Sequence, residues 1–197
     1  MKLYVEGGGD SKEQRARCRE GFRKLLKKTG FSERRRMPRI VAGGGREQVF
    51  DRFKIALESG EDAMLLVDSE GLVTDTSAWD HLKTQDGWDR PTDVDDDQAQ
   101  LMVTCMETWV VADRVALRRV FGACLRVNAL PPEVRLEYRQ RHDVQDKLER
   151  ATRDCGRARA YRKGNRSFQV LAELDPQTLR QHLPHFQMLL DALESRL

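Results

Sequence analysis

The sequence predicts an α/β fold: a parallel sheet core flanked by helices, with a helical C-terminal extension. Three observations predict it. Leu3-Tyr4-Val5 and Ala63-Met64-Leu65-Leu66-Val67 are short apolar runs bounded by glycine, the pattern of strands buried on both faces. Stripes of helical period alternate with these runs over the first 70 residues, as right-handed crossovers require. From Asp143 onward the pattern is helical throughout.

The elements follow in order. After the first run comes the turn Gly7-Gly8-Gly9, then a helix with Cys18, Phe22, Leu25 and Leu26 on one face, stopped near Gly30. Pro38 to Ala42 is a short strand. Gly43-Gly44-Gly45 opens a second helix, with Val49, Phe53, Ala56 and Leu57 on one face and Gly60 as its stop. The third strand ends at Asp68. Residues 71–97 read as a long irregular loop carrying Trp79 and Trp88, either as part of a site or as pins to the core. Gln98 to Glu107 reads as a fourth strand and Trp109 to Phe121 as a helix. The Pro- and Arg-rich segment 126–142 has no clear assignment. Helices are expected over 143–153, 165–174, 176–183 and 184–196, with Asp175-Pro176 as a helix start. The organisation expected is a catalytic domain over 1–125 and a mainly helical extension over 126–197 packed on it.

Composition narrows the function classes. A 39% hydrophobic fraction suffices for a core, and 34% charged residues imply a strongly solvated surface. No apolar stretch approaches the ~20 residues of a membrane helix, and the first residues turn acidic too soon for a signal peptide. A cytoplasmic protein is expected. Cys18, Cys105, Cys124 and Cys155 are scattered without paired spacing, so reduced thiols are expected rather than zinc or disulfides. His182 and His185 are interrupted by Pro184 and form no metal-binding signature.

The net charge of +3 conceals a sharper distribution. From Lys12 to Arg39 there are 12 basic and 3 acidic residues, and from Arg135 to Arg166 there are 11 and 5. Between them lies Asp93-Val94-Asp95-Asp96-Asp97. Basic surfaces beside an acidic centre suit a phosphate backbone steered to a metal, though arginine-rich helices are also simply solvated.

Glu6 and Asp68 each end a predicted strand, and ligands of open parallel sheets bind beyond the carboxyl ends of strands. Asp10 follows Glu6 across the glycine turn, Glu70 follows Asp68, and Glu107 closes the fourth run. Any one acid at a strand end is ordinary, as a cap or an ion pair. Five at the ends of three strands point to a divalent cation with hard oxygen ligands, Mg²⁺ or Mn²⁺. The two glycine triplets lack the spacing of a phosphate-binding P-loop or a dinucleotide fingerprint.

These residues resemble the Toprim fold, whose signature is a Glu after the first strand and Asp-x-Asp after the third. The pattern is similar to the nuclease domain of the OLD (overcoming lysogenization defect) family and to RloB-like proteins. Glu6 and Asp10 match the first pair of the OLD pattern. Asp68 and Glu70 match the Asp-x-Asp, with Glu in place of the second Asp. Cys105 and Glu107 match its Ser-x-Glu, with Cys in place of Ser, and Lys163 matches a late lysine. Met106-Glu107-Thr108-Trp109 resembles the Phe-Glu-x-Trp of RloB-like proteins. The whole chain resembles a short Toprim-related family, domain of unknown function 4276, often encoded beside ATPases in bacterial defence or mobile-element loci.

The resemblance implies a divalent-metal-dependent nuclease that hydrolyses DNA or RNA and acts with a separate ATPase. The alternative is a non-catalytic Toprim-like interaction or regulatory subunit. Two ions are expected, Glu6, Asp68 and Glu70 serving one metal or bridging positions and Asp10 and Glu107 the second. Glu6, Asp68, Glu70 and Lys163 are the expected catalytic residues, Lys163 offsetting charge on the phosphate. Lys12, Arg15, Arg19, Arg159, Arg162 and Arg166 would hold a nucleic-acid backbone without reading sequence. No membrane partner is expected, and self-association is left open.

Overall fold

A computed structural model describes residues 1–197, the side chain of Asn165 excepted. Four strands, β1 (Lys2–Val5), β2 (Arg39–Ala42), β3 (Ala63–Asp68) and β4 (Ala99–Met102), form one sheet in the order β2-β1-β3-β4. All pairings are parallel, with Val5 beside Ala42 and Leu66, and Asp68 beside Met102. The core is therefore the expected α/β, Toprim-like parallel sheet flanked by helices, with a helical C-terminus.

Alternation along the strands sorts the core into two layers, because successive side chains point to opposite faces. Leu3, Val5, Met64, Leu66 and Met102 face α1 (Lys12–Lys27) and the later helices. Tyr4, Leu65, Val67 and Leu101 face α2 (Arg46–Glu58) and α3 (Ala78–Asp86). Every residue of β3 is buried, which explains its unbroken apolar run.

The first cluster also takes in the C-terminal helices: α4 (Met106–Ala112), α5 (Arg114–Phe121), α6 (Arg141–Thr152), α7 (Asn165–Glu173), α8 (Pro176–His182) and α9 (Pro184–Arg196). α7 lies tightly on α1 at Gly21, where a Cβ would stand 2.9 Å from the Phe168 carbonyl oxygen. Asp113 fastens α5 to α8, its carboxylate accepting from the N–H groups of Ala116 at 2.9 Å and Asp175 at 2.8 Å.

Four expectations are corrected. The segment 71–97 is not one irregular loop: α3 lies inside it, N-capped by Ser77 and ended by Gly87 at φ +73°. Both tryptophans pin it, Trp79 against Phe53 and Trp88 stacked on Phe50 at 4.1 Å. The fourth strand stops at Met102 rather than Glu107, since its pairing with β3 ends there. The helix expected from Trp109 begins instead at Met106, and it is buried on every side, Glu107 and Thr108 included. The helix expected over 109–121 breaks at Asp113, which turns aside to cap α5. Finally, Cys124 and Cys155 form a disulfide, joining thiols 31 residues apart, while Cys18 and Cys105 are unpaired. The segment 126–142 holds short 3-10 turns at Val127–Ala129 and Leu136–Tyr138. Among the described residues no helix is long and apolar enough to cross a membrane.

Candidate metal centre

Chain order reverses between β1 and β3, with β2 on one side and β4 on the other. At such a switch point the connections diverge and leave a crevice at the strand ends. Glu6 follows β1 and Asp68 ends β3, so both acids stand at that crevice. The two glycine triplets shape one wall. Gly7 N–H donates to the Gly44 carbonyl at 2.8 Å, and Gly44 N–H returns the bond at 3.1 Å. Gly8, at φ +85°, brings the turn so close to α1 that a Cβ would stand 2.8 Å from Arg15 Cα. The cleft they border has a volume of ≈ 340 Å³, with Glu6, Asp68, Met106, Lys163 and Phe168 among its lining. A larger groove of ≈ 480 Å³ lies between α9 and β4, away from these acids.

Glu6, Asp68 and Glu70 each present a carboxylate oxygen within 4.8 Å of the others. One oxygen of each is engaged by the protein. Glu6 Oε2 accepts from Arg46 Nη1 and from the Asp68 N–H, both at 3.1 Å. Asp68 Oδ1 accepts from the Met106 N–H at 2.8 Å, the first residue of α4. Glu70 Oε2 pairs with Arg141. The remaining oxygens, Glu6 Oε1, Asp68 Oδ2 and Glu70 Oε1, have no protein partner among the described residues. Hard oxygen donors in this number fit a small divalent cation.

The electrostatics agree. Asp68 is 4% exposed, and its carboxyl is pushed up to about 8, first by burial, then by the charges of Glu6 and Glu107. Lys163 and the Met106 N–H pull the other way. A buried carboxylate beside others calls for a cation or a proton.

Arg46 is a site residue that sequence reasoning missed. Its Nε and Nη2 grip Asp86 at 2.7 and 2.6 Å, and its guanidinium lies 5.1 Å from the Trp88 ring centre. Its Nη1 also donates to the Asp68 carbonyl. Burial opposes its charge, but Asp86, Glu6 and Asp68 outweigh burial and hold it above the ordinary arginine value. The signal was Gly43-Gly44-Gly45-Arg46, weighed only as a nucleotide fingerprint. Arg141 and Tyr161 were missed as well.

The other expected residues fall out as follows. Lys163 reaches the cleft beside Glu6 and Asp68. Asp10 is exposed and outside the trio, its Oδ1 accepting from Gln48 Nε2 at 3.5 Å. Glu107 sits on α4 rather than at a strand end, and both its oxygens are taken, by Tyr161 at 2.6 Å and Gln145 at 3.2 Å. The pair expected to hold a second ion does not join the first three. Cys105 is buried, and its thiol is held neutral by burial and then by the charges of Glu107 and Asp68.

Among the basic residues, Lys12, Arg19 and Arg162 are exposed. Arg19 borders a different hollow, with Pro38 and Ile40. Arg15 instead holds the glycine turn through the carbonyls of Gly9 and Asp10, at 3.1 and 3.2 Å. Arg159 donates to the Phe121 carbonyl at 3.2 Å, and Arg166 to that of Ala158 at 3.0 Å. Carbonyls of loops and helix ends need donors, and these guanidinium groups supply them. His185 belongs to no metal group: its Nδ1 lies 2.7 Å from Glu137 Oε2.

A family model matches residues 5–194, and the chain belongs to that family, DUF4276, a domain of unknown function. No match was found among curated proteins or among solved structures.

Proposed function

We propose that this DUF4276 protein is a divalent-metal-dependent nuclease, hydrolysing phosphodiester bonds of DNA or RNA with Mg²⁺ or Mn²⁺ held by Glu6, Asp68 and Glu70. The observation that carries the proposal is the convergence of three carboxylates at the switch point, each with one oxygen engaged by the protein and one unpartnered. The Toprim, OLD and RloB-like resemblance adds the reaction class. When bound, the metal supplies Lewis acidity toward the phosphoryl oxygen and a more acidic water.

The chain's own groups do the rest. Arg46 and the Asp68 N–H fix Glu6 in one orientation, and the Met106 N–H does so for Asp68. Lys163 brings an ammonium to the cleft to offset charge developing on the phosphate. The glycine turns let a sugar-phosphate chain come close to backbone. All three tryptophans are buried, so no indole platform stacks bases, and weak sequence specificity follows. Exposed Lys12 and Arg162 supply backbone charge. A separate ATPase, in a bacterial defence or mobile-element system, is the partner that goes with this proposal.

The test is cleavage of supercoiled and linear DNA, and of RNA, with Mg²⁺ or Mn²⁺, wild type beside Asp68→Ala. Metal-dependent cleavage by wild type alone is expected. Equal cleavage by both would overturn the assignment of the site. Cleavage by neither would favour a regulatory Toprim-like subunit.

A further inference from the structure

We infer that Glu107 is not a metal ligand but the anchor that positions Lys163, through a hydrogen bond from the Tyr161 hydroxyl. The inference rests on the metal-centre reading above and assigns a new role within it. Lys163 lies on the arm 153–164 between α6 and α7, which has little regular structure to hold it. What holds it is a set of fastenings at its base. Cys155 is bonded to Cys124, and Tyr161 N–H donates to Thr152 Oγ1 at 2.9 Å. Arg159 donates to the Phe121 carbonyl. Gly164 N–H donates to Ser167 Oγ at 3.0 Å at the arm's far end, and two residues before Lys163 the Tyr161 hydroxyl donates to Glu107 Oε1 at 2.6 Å, tying the arm to α4.

Glu107 suits an anchor better than a ligand. It is 1% exposed, and its second oxygen accepts from Gln145 Nε2 of α6. Its carboxylate thereby ties α4, α6 and the arm at one point. Neither oxygen is left over, in contrast to Glu6 and Asp68. Tyr161 stays protonated, because burial and then the Glu107 charge raise it well above the ordinary tyrosine value, so the direction of the bond is fixed. Gly164, at φ +101°, then turns the chain into α7, leaving Lys163 at the cleft.

The full-length chain tests this by Mn²⁺ calorimetry and hydrogen exchange. Glu107→Gln keeps an acceptor for Tyr161, and the Gln145 amide can turn to match it. This variant should bind Mn²⁺ as wild type does, while Asp68→Asn should weaken binding at least ~10-fold. Tyr161→Phe should leave Mn²⁺ binding intact yet speed exchange of residues 156–164 about tenfold, with the sheet unchanged. Where cleavage is measured, Tyr161→Phe should lower kcat and not the metal requirement, whereas a merely structural role would lower stability alone. A tenfold loss of Mn²⁺ affinity in Glu107→Gln would overturn the inference and make Glu107 a ligand. Unchanged exchange in Tyr161→Phe would also overturn it. No Mn²⁺ binding by wild type would instead sink the metal-centre reading itself.

Discussion

Asp68→Asn should stabilise the metal-free protein most at pH 8, and the gain should shrink to about 1–2 kcal/mol by pH 5 and vanish near pH 4. The Asp68 carboxyl is pushed up to about 8 in the folded chain, chiefly by burial, against ~3.9 when unfolded. Between those values the folded chain keeps a proton that the unfolded chain has released. More protons bound in the native state means stability falls as pH rises through that window, and levels off above the folded value. The gap of about four units at ~1.4 kcal/mol each caps the effect at about 6 kcal/mol. From pH 5 to 8 a loss of about 2–4 kcal/mol is expected, or roughly 4–16 °C in Tm for a chain of this size. Asparagine keeps the acceptor for the Met106 N–H and removes only the charge. The assay is thermal unfolding by circular dichroism in EDTA across pH 5–8, then with Mn²⁺ added. Wild type should recover stability with Mn²⁺ at pH 8, and the variant should not. Identical pH slopes for the two proteins, or a variant less stable at pH 8, would refute the reasoning.

Other perturbations probe the scaffold. Arg46→Met leaves Glu6 and Asp86 without their shared cation, at a cost of about 3 kcal/mol in urea unfolding; a loss below about 1 kcal/mol would mean the guanidinium holds nothing in place. Gly21→Ala gains about 1 kcal/mol of helix propensity but drives a Cβ to 2.9 Å from the Phe168 carbonyl. Net destabilisation of about 1 kcal/mol is expected from overpacking, and a stabilised variant would show that α1 and α7 are not in tight contact. Reduction of Cys124–Cys155, which closes a loop of 31 residues, should cost about 3–4 kcal/mol by chain entropy. Unfolding with and without dithiothreitol measures it, and no difference would mean the bridge constrains little.

The sheet was legible because its strands advertise themselves. Ala63 to Val67 is buried on both faces and shows as an unbroken apolar run, and Glu6 and Asp68 follow from where the runs end. The start of α4 was not legible, since the helix is buried on every side, Glu107 and Thr108 included, and its polar residues mark no outer face. α3 carried its caps in plain view, Ser77 and Gly87, but its nine residues offer only a short stripe of Trp79 and Leu82. Arg46 escaped because its grip on Asp86 spans 40 residues into a stretch read as irregular. Spacing alone could not pair Cys124 with Cys155. Lys163 was found only through the resemblance, because nothing in a loop's local pattern says which way it folds back.

The most direct measurement is to follow Mn²⁺ binding and phosphodiester cleavage on the same samples of wild type and Glu6→Gln. Cleavage that rises with occupancy of the site in wild type, and is lost together with tight binding in the variant, is what the account predicts. Cleavage by Glu6→Gln at the wild-type rate would contradict it, and would place the chemistry away from the carboxylates that join β1 to β3.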